Sequence, residues 1–403
     1  MVIWYLCKYA SPQKYFFGTR HFYLGAEWVK NGHEVTVFTS NANHLSDNLP
    51  KFEGKFFEEE IEGVKTIWLN GKKAKTSSGL ARVLSWLQFE WQLFSLPKKK
   101  YSKPDVVIAS SLSLLTILNG YWLSKKHKAK FILEIRDIWP LSAMELGGYS
   151  KYHPFMFLLA IIEKFGYKNA RAIVGTMPNL GAHVEQRIGS KNKVFCIPQG
   201  VNLSFYDNQQ ELDGEYIKKY MPTDKFIICY AGTLNANNPL ETLIEAADIL
   251  KTHPQIHFLI VGNGDRKEFL QTKAKNLSNI SFPPPVQKKQ VNHLLQYSAV
   301  CYDSFSSELA KFGLSRNKWI DYMFAEKPII CSYSGFQSML NEANSGSFVE
   351  YGNAQILAQE ILKYYRMDSE EIKRLGRNGK EFLLTNRTFQ KLAKQYEEIF
   401  VNC

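Results

Sequence analysis

The segment KFGLSRNKWIDYMFAEKPII, residues 311–330, combines residue types that could bind a phosphorylated ligand. Arg316, Asn317 and Lys318 open an apolar, helix-like run that carries Asp321 and ends before Pro328. The first turn of a helix has backbone amides without intrahelical partners, and these amides attract anions. Together with a Lys and a carboxylate one turn deeper, they could hold a diphosphate and a ribose. The same residues also suit an ordinary strand-to-helix turn with a solvated Arg and Lys.

The order G-x-S-x-N-K-x-x-D-Y-M-x-A-x-K-P in this segment resembles the donor-binding signature of family 4 glycosyltransferases. It is most similar to the subgroup that adds fucosamine-type sugars during O-antigen and capsule assembly. The resemblance implies that Lys318 and Arg316 are catalytic, because they stabilise the departing diphosphate, and that Asp321 binds the ribose. It also implies a nucleotide-sugar site that includes Gly313, Leu314, Ser315, Asn317, Lys318 and Asp321.

This segment departs from the family pattern at one position. Most members carry two Glu residues eight apart, and this chain has Gly313 and Asp321 there. Gly313 cannot contact a donor sugar through a side chain. Glu308 is the nearest candidate to replace the missing Glu.

Three further motifs of the second half are expected to line the donor site. YAGTLNANN, residues 230–238, follows a buried strand, and Gly232 allows the backbone to approach a phosphate. Thr233 and Asn235 belong to the same loop, which could also be a simple Asn-rich turn. Gly262 of VGNGDRKEF opens a strand-to-helix turn, and the resemblance makes Val286 of PPPV a neighbour of the nucleobase. UDP is favoured by the subgroup resemblance alone.

The loop ASPQKYFFGTR, residues 10–20, joins the first predicted strand to the first predicted helix. In the family this loop is rich in glycine and lies near the donor phosphates and the acceptor, and Gly18 matches that pattern. Lys14 and Arg20 are candidates to bind an acceptor pyrophosphate.

EIRDIWPLSAMELGG, residues 134–148, resembles the subgroup pattern R-D-x-W-P followed by E-L-G-G. Arg136 and Asp137 occupy positions where many family members carry a His-Asp pair, which makes both candidate catalytic residues. Asp137 could bind a hydroxyl of the acceptor or of the donor sugar, or it could cap the following turn. Glu145 is a candidate acceptor-binding residue.

A predicted helix at 79–97 carries Trp86, Phe89, Trp91 and Phe94, and Lys98, Lys99 and Lys100 follow it. Aromatic side chains flanked by Lys are typical of a helix at the membrane interface. The aromatic residues lie around more than one face, however, and burial in a domain core explains them equally well.

Both halves of the chain alternate apolar strands with amphipathic helices, which predicts parallel sheets covered by helices on both faces. At 403 residues the chain exceeds the usual size of one core. We therefore expect an α/β fold of two Rossmann-like domains facing across a cleft, the GT-B fold of the resembled family. The expected boundaries are 1–205 for the acceptor domain and 206–386 for the nucleotide-sugar domain. A C-terminal helix within 387–403 is expected to cross back to the first domain.

Charge is distributed unevenly along the chain. Its net charge is +12, and residues 1–205 contain 27 Lys and Arg against 15 Asp and Glu. An anionic membrane surface explains this excess better than nucleic acid, since no nucleic-acid motif is present. No apolar run reaches the length of a membrane span, and the start lacks the pattern of a signal peptide. The six scattered Cys predict reduced thiols, and we expect a cytoplasmic protein associated peripherally with the inner face of the membrane.

Taken together, these observations predict a retaining glycosyltransferase that moves a sugar from a UDP-sugar to a lipid-linked glycan acceptor of the undecaprenyl-diphosphate type. No His pair at metal-ligand spacing and no D-x-D motif is present, so neither a metal nor another cofactor is expected. Two alternatives remain open: a GT-B sugar-nucleotide 2-epimerase, and a non-catalytic partner subunit that binds sugar nucleotide. A dehydrogenase is less consistent with the sequence, because no G-x-G-x-x-G follows the first strand.

Overall fold

The computed structural model describes residues 1–15, 20–43, 48–72, 80–111 and 113–403. These residues form two compact units, the first made of Met1–Pro198 with Phe389–Cys403 and the second of Gln199–Thr388. Each unit is built on its own sheet, so the expected α/β class with two Rossmann-like units is confirmed. The division lies slightly before the expected boundary at residue 205, and the first residue of the second segment, Gln199, donates its N–H to Ser315 Oγ at 2.8 Å within the second unit.

The first unit contains a sheet in the order β3-β4-β2-β1-β5-β6-β7-β8. Its β3–β4 pair is antiparallel and the other strand pairs are parallel. Apolar runs such as VVIAS are buried on both faces, as parallel strands covered by helices require. The strands are β1 (Val2–Leu6), β2 (Glu34–Ser40), β3 (Phe56–Ile61), β4 (Val64–Leu69), β5 (Val106–Ser110), β6 (Lys130–Ile135), β7 (Ala172–Gly175) and β8 (Val194–Cys196).

The helices of this unit connect successive strands and cover the sheet. Apolar side chains of the second helix, such as Phe89 and Leu93, pack against β1, β2, β4 and β5 in one buried cluster. The helices up to residue 198 are α1 (Arg20–Lys30), α2 (Leu80–Ser95), α3 (Thr116–His127), α4 (Leu141–Gly147), α5 (Pro154–Asn169) and α6 (Leu180–Ile188).

The second unit contains a parallel sheet in the order β11-β10-β9-β12-β13-β14. The strands are β9 (Phe226–Ala231), β10 (Ile256–Val261), β11 (Ile280–Ser281), β12 (Val300–Phe305), β13 (Ile329–Tyr333) and β14 (Gly346–Val349). The helices are α7 (Leu203–Tyr206), α8 (Gly214–Tyr220), α9 (Glu241–Ile249), α10 (Lys267–Lys273), α11 (Val291–Gln296), α12 (Asn317–Phe324), α13 (Leu340–Ala343), α14 (Ala354–Arg366) and α15 (Ser369–Asn386). The strand order reverses beside β9, and ligands of open α/β sheets bind at such a point.

The last helix, α16 (Phe389–Asn402), packs in the first unit against α1. The Trp28 ring contacts Tyr396 and Phe400 edge to face, and its Nε1 donates to the Ala393 carbonyl at 3.2 Å. Burying each large apolar side chain contributes roughly 1.5–3 kcal/mol. The apolar stripe of α16 therefore fixes the end of the chain to the first sheet.

Within the described ranges, no helix has both the length and the apolarity needed to cross a membrane. The six cysteines are unpaired thiols; Cys7, Cys229, Cys301 and Cys331 are buried, whereas Cys196 at the end of β8 is exposed.

Candidate nucleotide-sugar site

A cavity of about 500 Å³ lies in the second unit at the carboxyl ends of β9 and β10, beside the start of α12. It brings together seven of the residues expected to bind the donor: Gly232, Thr233, Gly262, Val286, Asn317, Lys318 and Asp321. The other side chains and backbone around it belong to Ala231, Asn238, Val261, Asn263, Pro285, Lys288 and Val291. Residues far apart in sequence thus meet at the edge of the sheet where open α/β folds bind ligands.

Two glycines allow the loops after β9 and β10 to touch each other. A Cβ placed on Gly262 would lie 1.8 Å from the carbonyl oxygen of Gly232, which is far inside contact distance. A Cβ on Gly232 would lie 3.2 Å from Cε of Lys318. Any larger residue at position 262 would therefore displace the backbone of Gly232, and any larger residue at position 232 would crowd the Lys318 side chain.

Lys318 lies in the first turn of α12 and is largely buried. Its Nζ donates to Asp303 Oδ1 at 2.9 Å, to the Tyr230 hydroxyl at 3.0 Å and to Asn238 Oδ1 at 3.1 Å. Burial lowers the pKa of Lys318 to about 8, although Asp303 favours the charged form. The ammonium group is therefore fixed in position but holds its proton weakly, and a bound anion would strengthen that hold.

Asp303, which sequence reasoning missed, anchors the basic residues of this site. It is fully buried in β12, and its Oδ2 accepts from Arg316 Nε at 3.1 Å and from Trp319 Nε1 at 2.8 Å. Burial alone would raise the pKa of Asp303, but Arg316 and Lys318 outweigh burial and hold it below the usual value. The signal was present in the sequence, since AVCYDS places one carboxylate inside an otherwise apolar strand.

Arg316 had been expected to act on the diphosphate directly, and the structure places it differently. Its guanidinium makes a two-pronged ion pair with Asp303, at 3.1 and 3.2 Å, and also contacts Asn238. Its side chain does not line the cavity. Within the second unit Arg316 therefore supports the position of Asp303 and Asn238, and both of these contact Lys318.

Asp321 lines the cavity and is nearly buried. Its Oδ1 accepts from the Tyr206 hydroxyl at 2.7 Å, and its Oδ2 pairs with Lys288 Nζ. The Tyr206 ring stacks on Phe324 at 3.9 Å, which orients the hydroxyl. Sequence reasoning missed both Tyr206 and Lys288, because each comes from a segment distant from α12. A ribose diol would share or displace these partners.

Gly313 has φ +87° and ψ 171°, a backbone conformation that is essentially restricted to glycine. The local turn therefore requires Gly where most family members have Glu. Glu308 does not replace that Glu in this structure, because its side chain is 73% exposed and pairs with Lys311 at 3.7 Å.

Three other expected donor residues lie near the cavity but do not line it. Leu314 is buried in the core of the second unit, and Ser315 Oγ accepts the Gln199 N–H. Asn235 Oδ1 accepts from the Asn237 N–H at 3.1 Å and from Asn238 Nδ2 at 2.9 Å, so it shapes the loop after β9. Their side chains do not line the cavity, and their part in donor binding, through backbone amides or otherwise, stays a prediction.

In the first unit, Arg136 and Asp137 directly follow β6. Asp137 is exposed, and Arg136 is half-buried with its backbone N–H directed at Ser111 Oγ, 3.3 Å away. Glu145 is exposed on α4. Lys14 is half-exposed and its Nζ lies 2.6 Å from Glu59 Oε2. Gly18 lies outside the described residues.

Arg20 is 1% exposed, and its expected contact with an acceptor pyrophosphate is wrong for this structure. Its Nε pairs with Glu134 Oε1 at 3.0 Å, and its terminal nitrogens donate to the carbonyls of Ile197 and Pro198 and to the Tyr396 hydroxyl. Burial would raise the pKa of Glu134, but Arg20 outweighs it and holds that pKa well below the usual value. Arg20 thus ties α16 to the interior of the first unit.

Among the described residues, no group of three or more His, Cys, Asp and Glu side chains could hold a metal ion. The expectation of a reaction without metal stays a prediction.

Comparison with known proteins agrees with this organisation. Residues 18–205 match the family model described as Glycosyltransferase Family 4, and residues 215–382 match Glycosyl transferases group 1. A putative colanic acid biosynthesis glycosyl transferase of Escherichia coli, WcaI, is 27% identical over 270 residues. That alignment covers 64% of this chain and 65% of the relative, so the chain matches somewhat less than two thirds of its length.

Solved structures share the fold over nearly the whole chain. Sucrose-phosphate synthase from Thermosynechococcus elongatus is 19% identical with a TM-score of 0.74, covering 99% of this chain and 98% of that one. HepE of Anabaena, solved in complex with UDP and glucose, is 12% identical with a TM-score of 0.63, covering 100% of both chains. The two halves of the chain thus match two glycosyltransferase family models in the expected order, and the chain has the GT-B fold of these solved structures.

Proposed function

We propose that this chain is a retaining glycosyltransferase that moves a sugar from a UDP-sugar to a lipid-linked glycan of the undecaprenyl-diphosphate type. The observation that carries the proposal is the cavity of the second unit, where the Lys318 ammonium, the Asp321 carboxylate and the glycine-backed loops after β9 and β10 converge. A diphosphate needs a cation and backbone amides, and a ribose needs a hydrogen-bond acceptor. The cavity offers all three.

In this proposal the start of α12 binds the diphosphate. Lys318 and the backbone amides of the first helical turn balance the phosphate charge that grows as the glycosidic bond breaks. Each fixed donor of this kind contributes about 3–4 kcal/mol at the transition state. Retention follows if the acceptor attacks from the face that the phosphate leaves, with the departing phosphate taking the acceptor proton.

The ribose and base are assigned to the other end of the cavity. Asp321 accepts from the ribose diol, and Val286 together with Pro285 lies beside the base. Support for UDP comes from HepE of similar fold, whose structures contain UDP, UDP and glucose, or UDP-glucose. The donor sugar is proposed to be an N-acetylated deoxyamino sugar.

For the acceptor, the exposed carboxylate of Asp137 is proposed to bind a hydroxyl of the acceptor or of the donor sugar. The similarity to a colanic acid biosynthesis transferase favours a role in surface polysaccharide assembly, with O-antigen or capsule as the product class. A lipid-linked acceptor places the protein peripherally at the inner face of the cytoplasmic membrane, where the basic first half meets anionic lipid.

Nucleotide binding is the first test. The melting temperature of the purified chain should rise with UDP in the absence of metal, and rise less with GDP, ADP or NAD. Lys318→Ala and Asp321→Ala should abolish the response, whereas Lys275→Ala, an exposed lysine of the same unit, should preserve it. A response to NAD alone, or to none of these ligands, would refute the assignment of the cavity.

Turnover is the second test. UDP-sugars should release UDP only with a lipid-linked acceptor, and the product should keep the anomeric configuration of the donor. Conversion of the donor sugar without acceptor would indicate an epimerase. Binding of UDP without turnover across a panel of donors and acceptors would indicate a non-catalytic subunit.

A further inference from the structure

Helix α2 has apolar side chains on two opposite faces. One face is buried, with Trp86, Phe89 and Leu93 inside the first unit. The other exposes Leu84, Leu87, Trp91 and Phe94, whose spacing of three, four and three residues makes one continuous stripe along the helix. Trp91 is 70% exposed. Burial in the domain core is therefore confirmed for one face, and the membrane-interface explanation stays a prediction for the exposed face.

The neighbouring helices also expose apolar side chains. Helix α3 lies against both α2 and α5, and it exposes Leu118. Helix α5 exposes a second apolar group, in which Phe157 is 67% exposed. We call these exposed residues the apolar face, and its members are Leu84, Leu87, Trp91, Phe94, Leu118, Phe157, Leu158 and Ile161. Large apolar patches of this kind on a protein surface mark interaction sites.

The charges of the same three helices have one sign at the surface. Their carboxylates are Glu90 of α2 and Glu163 of α5, and both are buried. Glu90 accepts from Asn119 Nδ2 at 2.7 Å, and Glu163 pairs with His183 at 2.6 Å. The exposed charged side chains on α3 and α5 are Lys125, Lys126, Lys164 and Lys168, and exposed Lys99 follows α2, whereas the next residue, Lys100, pairs with Glu58.

Aromatic and basic side chains are in direct contact along this surface. Phe94 packs on Trp122 with ring centroids 4.7 Å apart, and Lys126 Nζ lies 4.7 Å from the centroid of the Trp122 ring. Aromatic rings with lysines beside them are suited to the headgroup region of a bilayer, where one end of the side chain is apolar and the other is hydrated. An anionic lipid surface would accommodate both the apolar stripe and the exposed lysines beside it.

We propose that the apolar face of α2, α3 and α5 docks on an anionic lipid bilayer. The aromatic side chains of Trp91, Phe94 and Phe157 enter the headgroup region, and the surrounding lysines contact lipid phosphates. The assignment specifies where the membrane contact of the proposed function is made, and it rests on that function only for its biological purpose. Its test needs no sugar transfer.

The experiment measures binding of the full chain to vesicles by co-sedimentation. Vesicles of equal parts phosphatidylglycerol and phosphatidylcholine should bind the protein, and vesicles of phosphatidylcholine alone should bind it at least about tenfold more weakly. Trp91→Ser with Phe94→Ser should weaken binding to the anionic vesicles by about tenfold or more. Lys125→Glu with Lys126→Glu should do the same and should reduce the dependence of binding on salt.

Control variants distinguish binding through the apolar face from nonspecific hydrophobic binding to vesicles. Phe269→Ser alters an exposed aromatic residue of the second unit and should leave vesicle binding unchanged. The altered side chains of the aromatic variant are exposed, so its UDP response and far-UV circular dichroism should match the wild type. Phe157→Ser with Ile161→Ser provides a second variant on α5 if the α2 variant is poorly folded.

Three results would overturn the proposal. The first is equal binding of wild type and both aromatic variants to anionic vesicles. The second is equal binding to neutral and anionic vesicles. The third is a concentration-dependent dimer, seen by light scattering, that the aromatic variants dissociate while vesicle binding is absent, which would assign the face to a second copy of the chain. If the wild-type chain does not bind UDP, the proposed function is refuted. The result of the vesicle experiment would still decide whether this surface binds lipid.

Discussion

The affinity of the chain for UDP should fall as pH rises through about 8, because Lys318 loses its proton in the empty site. Burial lowers the pKa of Lys318 to about 8, and Asp303 is the charged partner that keeps it from falling further. A bound diphosphate adds negative charge beside the ammonium and should return this pKa towards that of an ordinary lysine. Binding above pH 8 must therefore be accompanied by uptake of a proton.

The magnitude follows from the linkage of proton and ligand binding. With a pKa near 8 in the free protein, about nine tenths of the molecules carry a charged Lys318 at pH 7 and about one tenth at pH 9. If only the charged form binds well, the dissociation constant for UDP should rise about tenfold between these pH values. The second phosphate ionisation of UDP, near pH 6, is already about nine tenths complete at pH 7 and therefore contributes little over this range.

Isothermal titration calorimetry at pH 7, 8 and 9 would measure both the affinity and the proton uptake, the latter from buffers of different ionisation enthalpy. Lys318→Arg is the matched variant, since an Arg keeps its charge across this range and should give a nearly flat profile. Lys275→Ala, with an exposed lysine removed, should retain the wild-type slope. A wild-type affinity that does not change with pH, or an Lys318→Arg variant with the same slope, would refute the reasoning.

Three further outcomes are expected. Asp303→Asn should lower the free energy of unfolding by about 3–5 kcal/mol in a guanidinium titration, because two buried cations lose their counter-charge. A decrease below about 1 kcal/mol, comparable to that of the surface variant Asp248→Asn, would contradict this prediction. Gly262→Ala should lower stability by about 1–3 kcal/mol and abolish the UDP response, whereas Gly214→Ala, where a Cβ meets open space, should be neutral in the same assays. Burial raises the pKa of Glu90 to about 7, so stability should decrease by about 3 kcal/mol as pH rises from 4.5 to 7, and Glu90→Gln should remove this slope in denaturation at several pH values.

Local patterns in the sequence were sufficient to predict the alternation of strands and helices, because each pattern reflects how its own segment is buried. Apolar runs such as FIICYA and FLIV can be buried as parallel strands only if helices cover both faces, and the intervening helices repeat their apolar residues at helical spacing. Helix α5 begins and ends where its pattern predicts, at Pro154 and Asn169. The β3–β4 hairpin was not predicted, although Glu62 and Gly63, at φ +51° and +75°, form the tight turn between its strands.

The donor site could be predicted where its residues are contiguous in the chain. Asn317, Lys318 and Asp321 lie within two turns of one helix, so their spacing alone places them at one end of it. Gly232 and Gly262 follow strands whose carboxyl ends meet at the same edge of a parallel sheet, and this edge was predictable from the βα order.

The sequence by itself thus determined the fold class and the location of the candidate nucleotide-sugar site, because both follow from local periodicity and from short contiguous motifs. Only the tertiary structure decided which charged side chains line the cavity and which pair with each other. Arg316 pairs with Asp303 and Arg20 pairs with Glu134, because burying two paired charges costs less free energy than burying either charge without its partner. Each arginine lies at the start of a helix and its carboxylate lies on a strand, and no local sequence pattern shows which buried carboxylate a given arginine will meet.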